Sequence, residues 1–372
     1  MNEYFIQKLF IKDVRSIIKD LDIPLDNNER KHLIITGKNG SGKTSLLDEI
    51  DTLLNKLINN QFAQIKKIDL LFSNQSEIYK NITNGKFILA FFKAKRKSES
   101  YSVQNPTKQS FKQKYNTREE LNKTFLQYLV NLKTSQAFEQ IEGNIEEVEN
   151  ISKWFERFEN ALKDIFDKDD LKIAFNHKNF DFKIEYDSRI FNLNELSDGY
   201  SSFLAIFTEL ILRMEAHNIK VYDMQGVVLI DEIETHLHVE LQKKVLPFLV
   251  SFFPKVQFIV TTHSPFVLSS LSNAIICDLE KREIVDSERF VNASYSQIVK
   301  NYFEVDSEFS RVLVSDIKRY EDLITLFEND RLDEHQEKEL FDLDLKLDKI
   351  SPMLSDEIYL RFKEAQEKIQ DD

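Results

Sequence analysis

The sequence predicts an α/β fold with a mostly parallel sheet that binds its ligands at one edge. The first observation is a glycine-rich loop between an apolar strand, His32–Thr36, and a helix that begins at Ser45. The second and third are the apolar runs Gly226–Ile230 and Val256–Val260, which have the continuous apolar character of buried parallel strands. Polar residues follow each run, and open α/β sheets bind ligands at the carboxyl ends of their strands.

The glycine-rich loop has the pattern G-x-x-x-x-G-K-[ST]. The chain has only seven glycines, and three of them, Gly37, Gly40 and Gly42, lie in this loop. In such a loop, backbone N–H groups and a helix N-terminus surround phosphate oxygens. We therefore expect a nucleotide to bind here. The expected binding residues are Gly37, Asn39, Gly40, Ser41, Gly42, Lys43, Thr44 and Ser45.

Acidic residues at the end of the second strand fit phosphoryl transfer. Asp231 is expected to hold Mg²⁺ together with Thr44, and Glu232 is expected to polarise the attacking water. Lys43 would neutralise charge on the transferred group. His263 ends the next buried strand, and we interpret it as a sensor of the γ-phosphate. Lys43, Glu232 and His263 are thus the expected catalytic residues, and ATP and Mg²⁺ the expected cofactors.

A fourth motif lies upstream of the acidic strand. It reads Leu196-Ser197-Asp198-Gly199-Tyr200-Ser201-Ser202 and opens an apolar helix. Alone, it is equally typical of an ordinary helix N-cap. In order, however, the four motifs resemble the ABC-type ATPase superfamily, specifically its soluble RecF, SMC and OLD-like branch. The run Ile233-Glu234-Thr235-His236-Leu237-His238 also resembles OLD-like ATPases.

This resemblance implies sites shared between subunits. Ser197 and Gly199 of one subunit would contact the γ-phosphate that Lys43 of another subunit holds, so two heads would sandwich two ATP molecules. His238 would lie in the loop that crosses this dimer interface. The family also has a glutamine that senses Mg²⁺, for which Gln104 is the nearest candidate. Two other glutamines, Gln75 and Gln109, remain open.

The resemblance also implies a domain organisation. Residues 1–290 would form an ABC-type P-loop ATPase head, with an antiparallel N-terminal β part, a basic segment at 86–133 and a helical insertion at 112–168. Residues 291–372 would form an acidic helical C-terminal region. It contains the helices Phe309 to Phe327 and Asp333 to Ile350. Asp342-Leu343-Asp344 could suggest a TOPRIM nuclease, but its glycine-free surroundings favour an acidic helix.

Composition limits the protein class. No apolar run approaches the roughly 18 residues of a membrane span, and the start does not read as a secretory leader. The single cysteine, Cys277, excludes internal disulfides. We therefore expect a cytoplasmic protein that has no membrane partner.

Charge is unevenly distributed along a chain whose net charge is −13. Residues 86–133 hold 11 basic and 3 acidic side chains, whereas residues 134–170 hold 11 acidic and 4 basic ones. The basic excess could attract nucleic acid, because neutralised phosphates release counterions. It could equally pair with acidic segments of the same chain or of a neighbour. Both alternatives stay open at this point.

The resemblance extends to the ATPase components of bacterial anti-phage systems such as Septu, retron-associated systems and PARIS. It implies a chain that senses infection and controls a separately encoded effector protein, with slow ATP turnover in the absence of that partner. The first alternative is a RecF-like DNA-binding ATPase in DNA repair or chromosome maintenance. The second is a scaffold that binds ATP without appreciable hydrolysis.

Overall fold

The computed structural model describes residues 3–59, 61, 67–99, 101–215, 224–302, 311–329, 331–350, 359–360, 362–364 and 366. Its strands are β1 (Ile6–Val14), β2 (Ile18–Pro24), β3 (His32–Thr36), β4 (Ile68–Phe72), β5 (Ile88–Phe92), β6 (Lys172–Asn176), β7 (Asp181–Tyr186), β8 (Arg189–Asn192), β9 (Gly226–Ile230), β10 (Val256–Thr261), β11 (Ala274–Asp278) and β12 (Glu283–Asp286). Its helices are α1 (Lys43–Ile58), α2 (Gln75–Thr83), α3 (Phe125–Glu142), α4 (Ile145–Phe166), α5 (Asp198–Glu215), α6 (Val239–Phe252), α7 (Pro265–Leu268), α8 (Glu288–Val291), α9 (Tyr295–Gln297), α10 (Arg311–Phe327) and α11 (Glu334–Ile350). The chain divides into two compact units, residues 1–293 and residues 294–372.

A six-stranded sheet is the centre of the first unit. Its strand order is β12-β11-β3-β10-β9-β5, and all neighbouring pairs are parallel except β11 with β12. Every residue of β3, β5, β9 and β10 is buried. This burial explains why these strands are continuously apolar rather than alternating. The predicted α/β class with a mostly parallel sheet is confirmed.

A second sheet, of order β2-β1-β4, is antiparallel throughout. The side chains of Ile6, Leu9, Ile11 and Val14 on β1 are fully buried and share one core with α1 and the main sheet. The predicted antiparallel N-terminal β part is therefore confirmed. Its contribution to the site is to cover one face of α1, the helix that leaves the glycine-rich loop.

The helical insertion begins later than the sequence predicts. Residues 112–121 form no helix, and α3 begins at Phe125 after a short turn of 3₁₀ helix. The reason lies in α5, whose side chains bind the backbone of this segment. Glu209 accepts hydrogen bonds from the N–H groups of Leu121 and Asn122, and Arg213 donates to three carbonyls between positions 116 and 119. Backbone groups that pair in this way are not available for helical hydrogen bonds.

Beyond this start the insertion is helical as predicted, and α3 and α4 form a hairpin. They join at Gly143, which has a left-handed φ of 77°. The rings of Phe125, Trp154 and Phe158 pack together between the helices. A small antiparallel sheet, β6-β7-β8, follows, and β8 is an additional strand that the sequence did not predict.

The second unit contains helices α10 and α11, which pack around a small apolar core that includes Leu323 and Leu347. The Tyr320 hydroxyl donates to Asp344 at 2.6 Å. Asp342 and Asp344 both lie on α11, so the predicted acidic helix is confirmed. The predicted first two residues of the other helix, Phe309 and Ser310, lie outside the described residues. No helix in the described part of the chain is long and apolar enough to cross a membrane.

A buried histidine on β3 predicts how stability depends on pH. Burial holds the pKa of His32 at about 3, against an ordinary 6.5, and its Nδ1 accepts the N–H of Phe258 at 3.0 Å. Because the folded state keeps His32 neutral, the unfolded state binds more protons below pH 6.5. The stability that His32 contributes should therefore be lost as the pH falls from 6.5 towards 3, by about 1.4 kcal/mol per pH unit.

Urea unfolding of the wild type and of His32→Asn between pH 7.5 and 5 would measure this effect. Asparagine keeps an acceptor for the Phe258 N–H but does not titrate, so the variant should lose less stability on acidification. Equal pH dependence in the two proteins would contradict this prediction.

Candidate functional site

The glycine-rich loop connects β3 to α1, and its conformation requires glycine. Gly37, Gly40 and Gly42 have φ values of 132°, 86° and 100°, which L side chains rarely adopt. A Cβ atom on Gly37 would also lie 2.9 Å from the Ser41 Oγ. Gly42 is the N-cap residue of α1, and no side chain caps the first N–H groups of that helix. The loop therefore presents free backbone donors at a helix N-terminus, as phosphate binding requires.

Lys43 lies buried at the first position of α1. Its Nζ donates to the carbonyls of Gly37, at 2.8 Å, and Lys38, at 3.1 Å, so the ammonium lies across the loop. Burial lowers the pKa of Lys43, and the nearby carboxylates of Glu232 and Glu234 oppose this effect. The ammonium group thus links the glycine-rich loop electrostatically to the acidic strand end.

Asp231 lies at the end of β9 and is held by two threonines. The Thr44 Oγ1 donates to it at 3.0 Å, and the Thr261 Oγ1 donates to it at 2.7 Å. Thr261 ends the neighbouring strand β10, and its hydroxyl also accepts the N–H of Glu232 at 2.7 Å. Thr261 was not among the site residues predicted from the sequence. Its position at the end of a buried strand, two residues before His263, could have identified it.

Glu232 follows directly in a left-handed conformation with a φ of 45°. Its carboxylate accepts a hydrogen bond from the Thr235 Oγ1 at 3.2 Å. A non-glycine residue with positive φ is uncommon, and such strain concentrates at functional sites. The backbone therefore turns away from the direction of β9 at Glu232.

His263 lies beyond β10, beside the two acidic residues. Its backbone N–H donates to Glu234 at 2.6 Å, and its Nε2 is buried without a hydrogen-bond partner among the described residues. Burial and the nearby Lys43 lower the pKa of His263, which favours the neutral imidazole. The structure thus brings Lys43, Asp231, Glu232 and His263 together around one edge of the sheet.

The donor set at this edge fits a nucleotide and Mg²⁺. The Ser41 Oγ, like the His263 Nε2, is buried and has no partner within the part of the chain that the structure describes. Thr44 and Asp231 supply the hard oxygen ligands that Mg²⁺ prefers. Within that part of the chain, no three His, Cys, Asp or Glu side chains form a metal cluster. This agrees with the chemistry of Mg²⁺, which takes most of its ligands from phosphate and water at nucleotide sites.

The fourth motif lies at the start of α5, with Ser197 exposed and Gly199 buried. A Cβ atom on Gly199 would lie 2.9 Å from the carbonyl oxygen of His236, so this glycine also permits a close contact within the chain. His238 is exposed and is the N-cap residue of α6. Ser197 and His238 are therefore accessible to a partner, whereas Gly199 has a packing role of its own.

No hydrogen bond among the described residues joins the candidate glutamines to the acidic strand end. Gln104 is exposed in the loop that follows β5. Gln75 donates to the Tyr79 hydroxyl, and Gln109 donates to the carbonyl of Thr124. Arg96, which also follows β5, does contact the acidic turn, residues 231–236 after β9. From the sequence, Arg96 was predicted only as part of the basic segment.

Four of the eleven basic residues in the basic segment form ion pairs within the described part of the chain. Arg118 pairs with Asp48 and Asp51. Further ion pairs are Lys97 with Glu99, Lys112 with Glu119, and Lys123 with Glu120. Three of these pairs use acidic residues of the segment itself, so its basic excess remains and both alternatives stay open. Lys93 and Lys95 are exposed and have no ion-pair partner among the described residues.

Comparison with known proteins agrees with this site. Residues 33–269 match the family model described as "AAA domain, putative AbiEii toxin, Type IV TA system". The chain is 29% identical over 206 residues to the Septu protein PtuA of Bacillus thuringiensis, covering 52% of this chain and 46% of that protein. It is 35% identical over 115 residues to the Retron Ec83 probable ATPase of Escherichia coli, covering 30% of this chain and 21% of that protein. The chain thus spans less than half the length of these curated relatives.

Among solved structures, the SMC head domain from Thermotoga maritima aligns with a TM-score of 0.40 and 15% identity, over 73% of this chain and 94% of that domain. The resemblance to Septu and retron ATPases that the motif order predicted is confirmed by the matched relatives. The family match extends from β3 to α7 and so includes the loop, the acidic turn and His263. The chain therefore belongs to the family described as "AAA domain, putative AbiEii toxin, Type IV TA system".

Proposed function

We propose that the chain binds Mg·ATP at this edge of the sheet, hydrolyses it, and assembles with a second copy when ATP is bound. The observation that carries the proposal is that Lys43 meets Asp231 and Glu232, which lie almost 190 residues further along the chain, at the N-terminus of α1, for which no side-chain cap is found among the described residues. This constellation supplies charge neutralisation, a metal ligand and a base, which phosphoryl transfer requires.

Each residue has a distinct role in the proposed reaction. The loop N–H groups and Lys43 bind the phosphates, while Thr44 and Asp231 hold Mg²⁺, which supplies charge neutralisation when bound. Glu232 orients the attacking water and polarises it towards the γ-phosphate. The neutral His263 donates a hydrogen bond from its Nε2–H to the γ-phosphate. This hydrogen bond forms only when the γ-phosphate is present.

A second copy completes the site in this proposal. Ser197 is exposed at the start of α5, where the helix N-terminus favours an anion. Ser197 and Gly199 of one chain would then contact the γ-phosphate bound to another. ATP binding draws two chains together and hydrolysis releases them, which makes the chain a nucleotide-driven assembly switch.

The cellular role we propose is that of the ATPase component in a bacterial anti-phage system, acting in the cytoplasm on a separately encoded effector. The similarity to a Septu protein and a retron ATPase supports this role. We assign this partner to the tip of the α3–α4 hairpin, where Phe138, Ile141 and Ile145 are 61%, 81% and 71% exposed. Apolar side chains exposed together are typical of protein interaction sites.

Solution mass by light scattering would test the assembly switch. Glu232→Gln should bind Mg·ATP without consuming it, so its mass is expected to double on addition of Mg·ATP. Ser197→Glu in the same background should stay monomeric, because a carboxylate would face the γ-phosphate. Ser197 is exposed, so this change should leave the fold intact.

The assembly proposal is contradicted if Glu232→Gln keeps the monomer mass with Mg·ATP while a nucleotide-binding assay shows that its site is filled. Pull-down of partners with Glu232→Gln, with and without ATP, would identify the effector. A partner that is retained equally with and without ATP would argue against nucleotide control.

A further inference from the structure

The segment that follows β5 brings a half-buried arginine to the turn that carries the proposed catalytic glutamate. Arg96 donates from Nη1 to the carbonyl of Asp231 at 3.0 Å, and from Nη2 to the carbonyls of Ile233 at 2.8 Å and Glu232 at 3.3 Å. The same guanidinium donates to the carbonyl of Lys93 at 3.0 Å, within its own segment. One side chain thus binds three consecutive carbonyls of the acidic turn.

The backbone carbonyls of this turn need hydrogen-bond donors such as the Arg96 guanidinium. Glu232 has a left-handed φ, so its backbone leaves the ladder of β9 at this point. Carbonyls that leave a buried strand still require hydrogen-bond donors. The guanidinium provides a rigid planar set of donors, which an ammonium group cannot reproduce. The nearby carboxylates of Asp231, Glu232 and Glu234 compensate part of the cost of burying its charge.

The segment is also bound to α5. The Ser98 N–H donates to Ser201, to its Oγ at 3.0 Å and its carbonyl at 3.2 Å, and the Ser201 Oγ donates back to the carbonyl of Ser98 at 3.3 Å. Both serines are buried. Ser201 lies four residues beyond Ser197, so the acidic turn and the start of α5 are joined through Arg96 and Ser98.

We propose that Arg96 is a positioning residue for Glu232, which holds the acidic turn in its left-handed conformation and links it through Ser98 to α5. This inference rests on the proposed ATP hydrolysis and adds a residue that does not itself touch the nucleotide. Arg96 lies in the segment after β5, the part of the chain in which a Mg²⁺-sensing glutamine was predicted from the sequence. Its action is mechanical, through backbone carbonyls, so the nucleotide contacts of Lys43 are independent of it.

Steady-state kinetics of Arg96→Gln, Arg96→Lys and the matched control Lys95→Gln would test this role. Lys95 is the adjacent exposed cation, so its variant loses the same charge without the carbonyl contacts. Arg96→Gln should lower kcat by roughly a hundredfold, because small misplacements of a catalytic group have effects of that size. Its KM for ATP should stay within about threefold of the wild-type value. Arg96→Lys should recover part of kcat, and Lys95→Gln should behave as the wild type.

A wild-type kcat in Arg96→Gln would overturn the proposal. So would an equal loss in Lys95→Gln, because the effect would then be one of surface charge. A rise in the KM for ATP with unchanged kcat would also overturn it, since it would place Arg96 in nucleotide binding.

Hydrogen exchange without nucleotide provides a test that does not depend on turnover. Peptides covering residues 229–237 and 197–204 should exchange faster in Arg96→Gln than in the wild type, and Lys95→Gln should leave both unchanged. Unchanged exchange in Arg96→Gln would overturn the link. If Arg96→Gln does not fold, Arg96→Lys is compared with Lys95→Gln in the same way. A wild-type protein that fails to hydrolyse ATP would refute the proposed function, while the exchange data would still decide the position of Arg96.

Discussion

Replacing Glu232 with glutamine is expected to slow ATP turnover by about 10²- to 10⁴-fold, the usual contribution of a general base. Glutamine has the same size and can still accept a hydrogen bond from Thr235. It carries no negative charge, so it cannot polarise the attacking water. Lys43, Thr44 and the glycine-rich loop are unchanged, so the affinity for Mg·ATP should remain close to that of the wild type.

Phosphate release at saturating ATP and binding of a fluorescent ATP analogue would measure the two effects separately. Glu240→Gln is the matched control, because the Glu240 side chain is 76% exposed and its carboxylate pairs with Lys243 on α6. It should hydrolyse ATP at the wild-type rate. Turnover by Glu232→Gln within a few fold of wild type would rule out Glu232 as the base.

Replacing Arg213 with methionine is expected to lower the free energy of unfolding by about 3–5 kcal/mol, the usual cost of breaking a buried ion pair. The side chains of Arg213 and Glu209 are each only 4% exposed, and their charged groups lie 2.8 Å apart on α5. The guanidinium also donates to the carbonyl of Leu89 on β5. Methionine fills much of the same space but leaves the Glu209 carboxylate and several carbonyls without this partner.

Urea unfolding of Arg213→Met would measure this loss. Lys153→Met is a suitable control, because the ion pair of Lys153 with Glu149 on α4 is 71% and 62% exposed. Such surface pairs contribute about 0–1 kcal/mol, so the control should unfold close to the wild type. A loss below about 1 kcal/mol for Arg213→Met would mean that this buried pair is offset by its desolvation cost.

Arg213 and Glu232 belong to neighbouring parts of one hydrogen-bond network. Arg213 and Glu209 bind the backbone of residues 116–122, and Ser201 binds Ser98, so α5 is connected at two places to the segment between β5 and α3. Arg96 connects the same segment to the acidic turn. Loss of Arg213 should therefore act mainly on stability, and loss of Arg96 mainly on catalysis.

The sequence by itself determined the parts of the molecule that depend on local chemistry. Gly37, Gly40 and Gly42 have backbone conformations that only glycine adopts readily. Their spacing therefore predicts the loop without reference to the rest of the chain. The continuous apolar residues of β9 and β10 likewise predict buried parallel strands, and hence that Asp231 and His263 lie at the same sheet edge.

Only the tertiary structure decided the features that depend on partners distant in sequence. Arg96 lies in a run of basic residues that is typical of an exposed patch, yet it is half-buried and its guanidinium binds carbonyls more than 130 residues away. Residues 112–121 read as helical, but side chains of α5 take their backbone hydrogen bonds. The physical reason is the same in both cases. A polar side chain or backbone group pairs with whatever donor or acceptor the fold brings to it, and no local pattern specifies that partner.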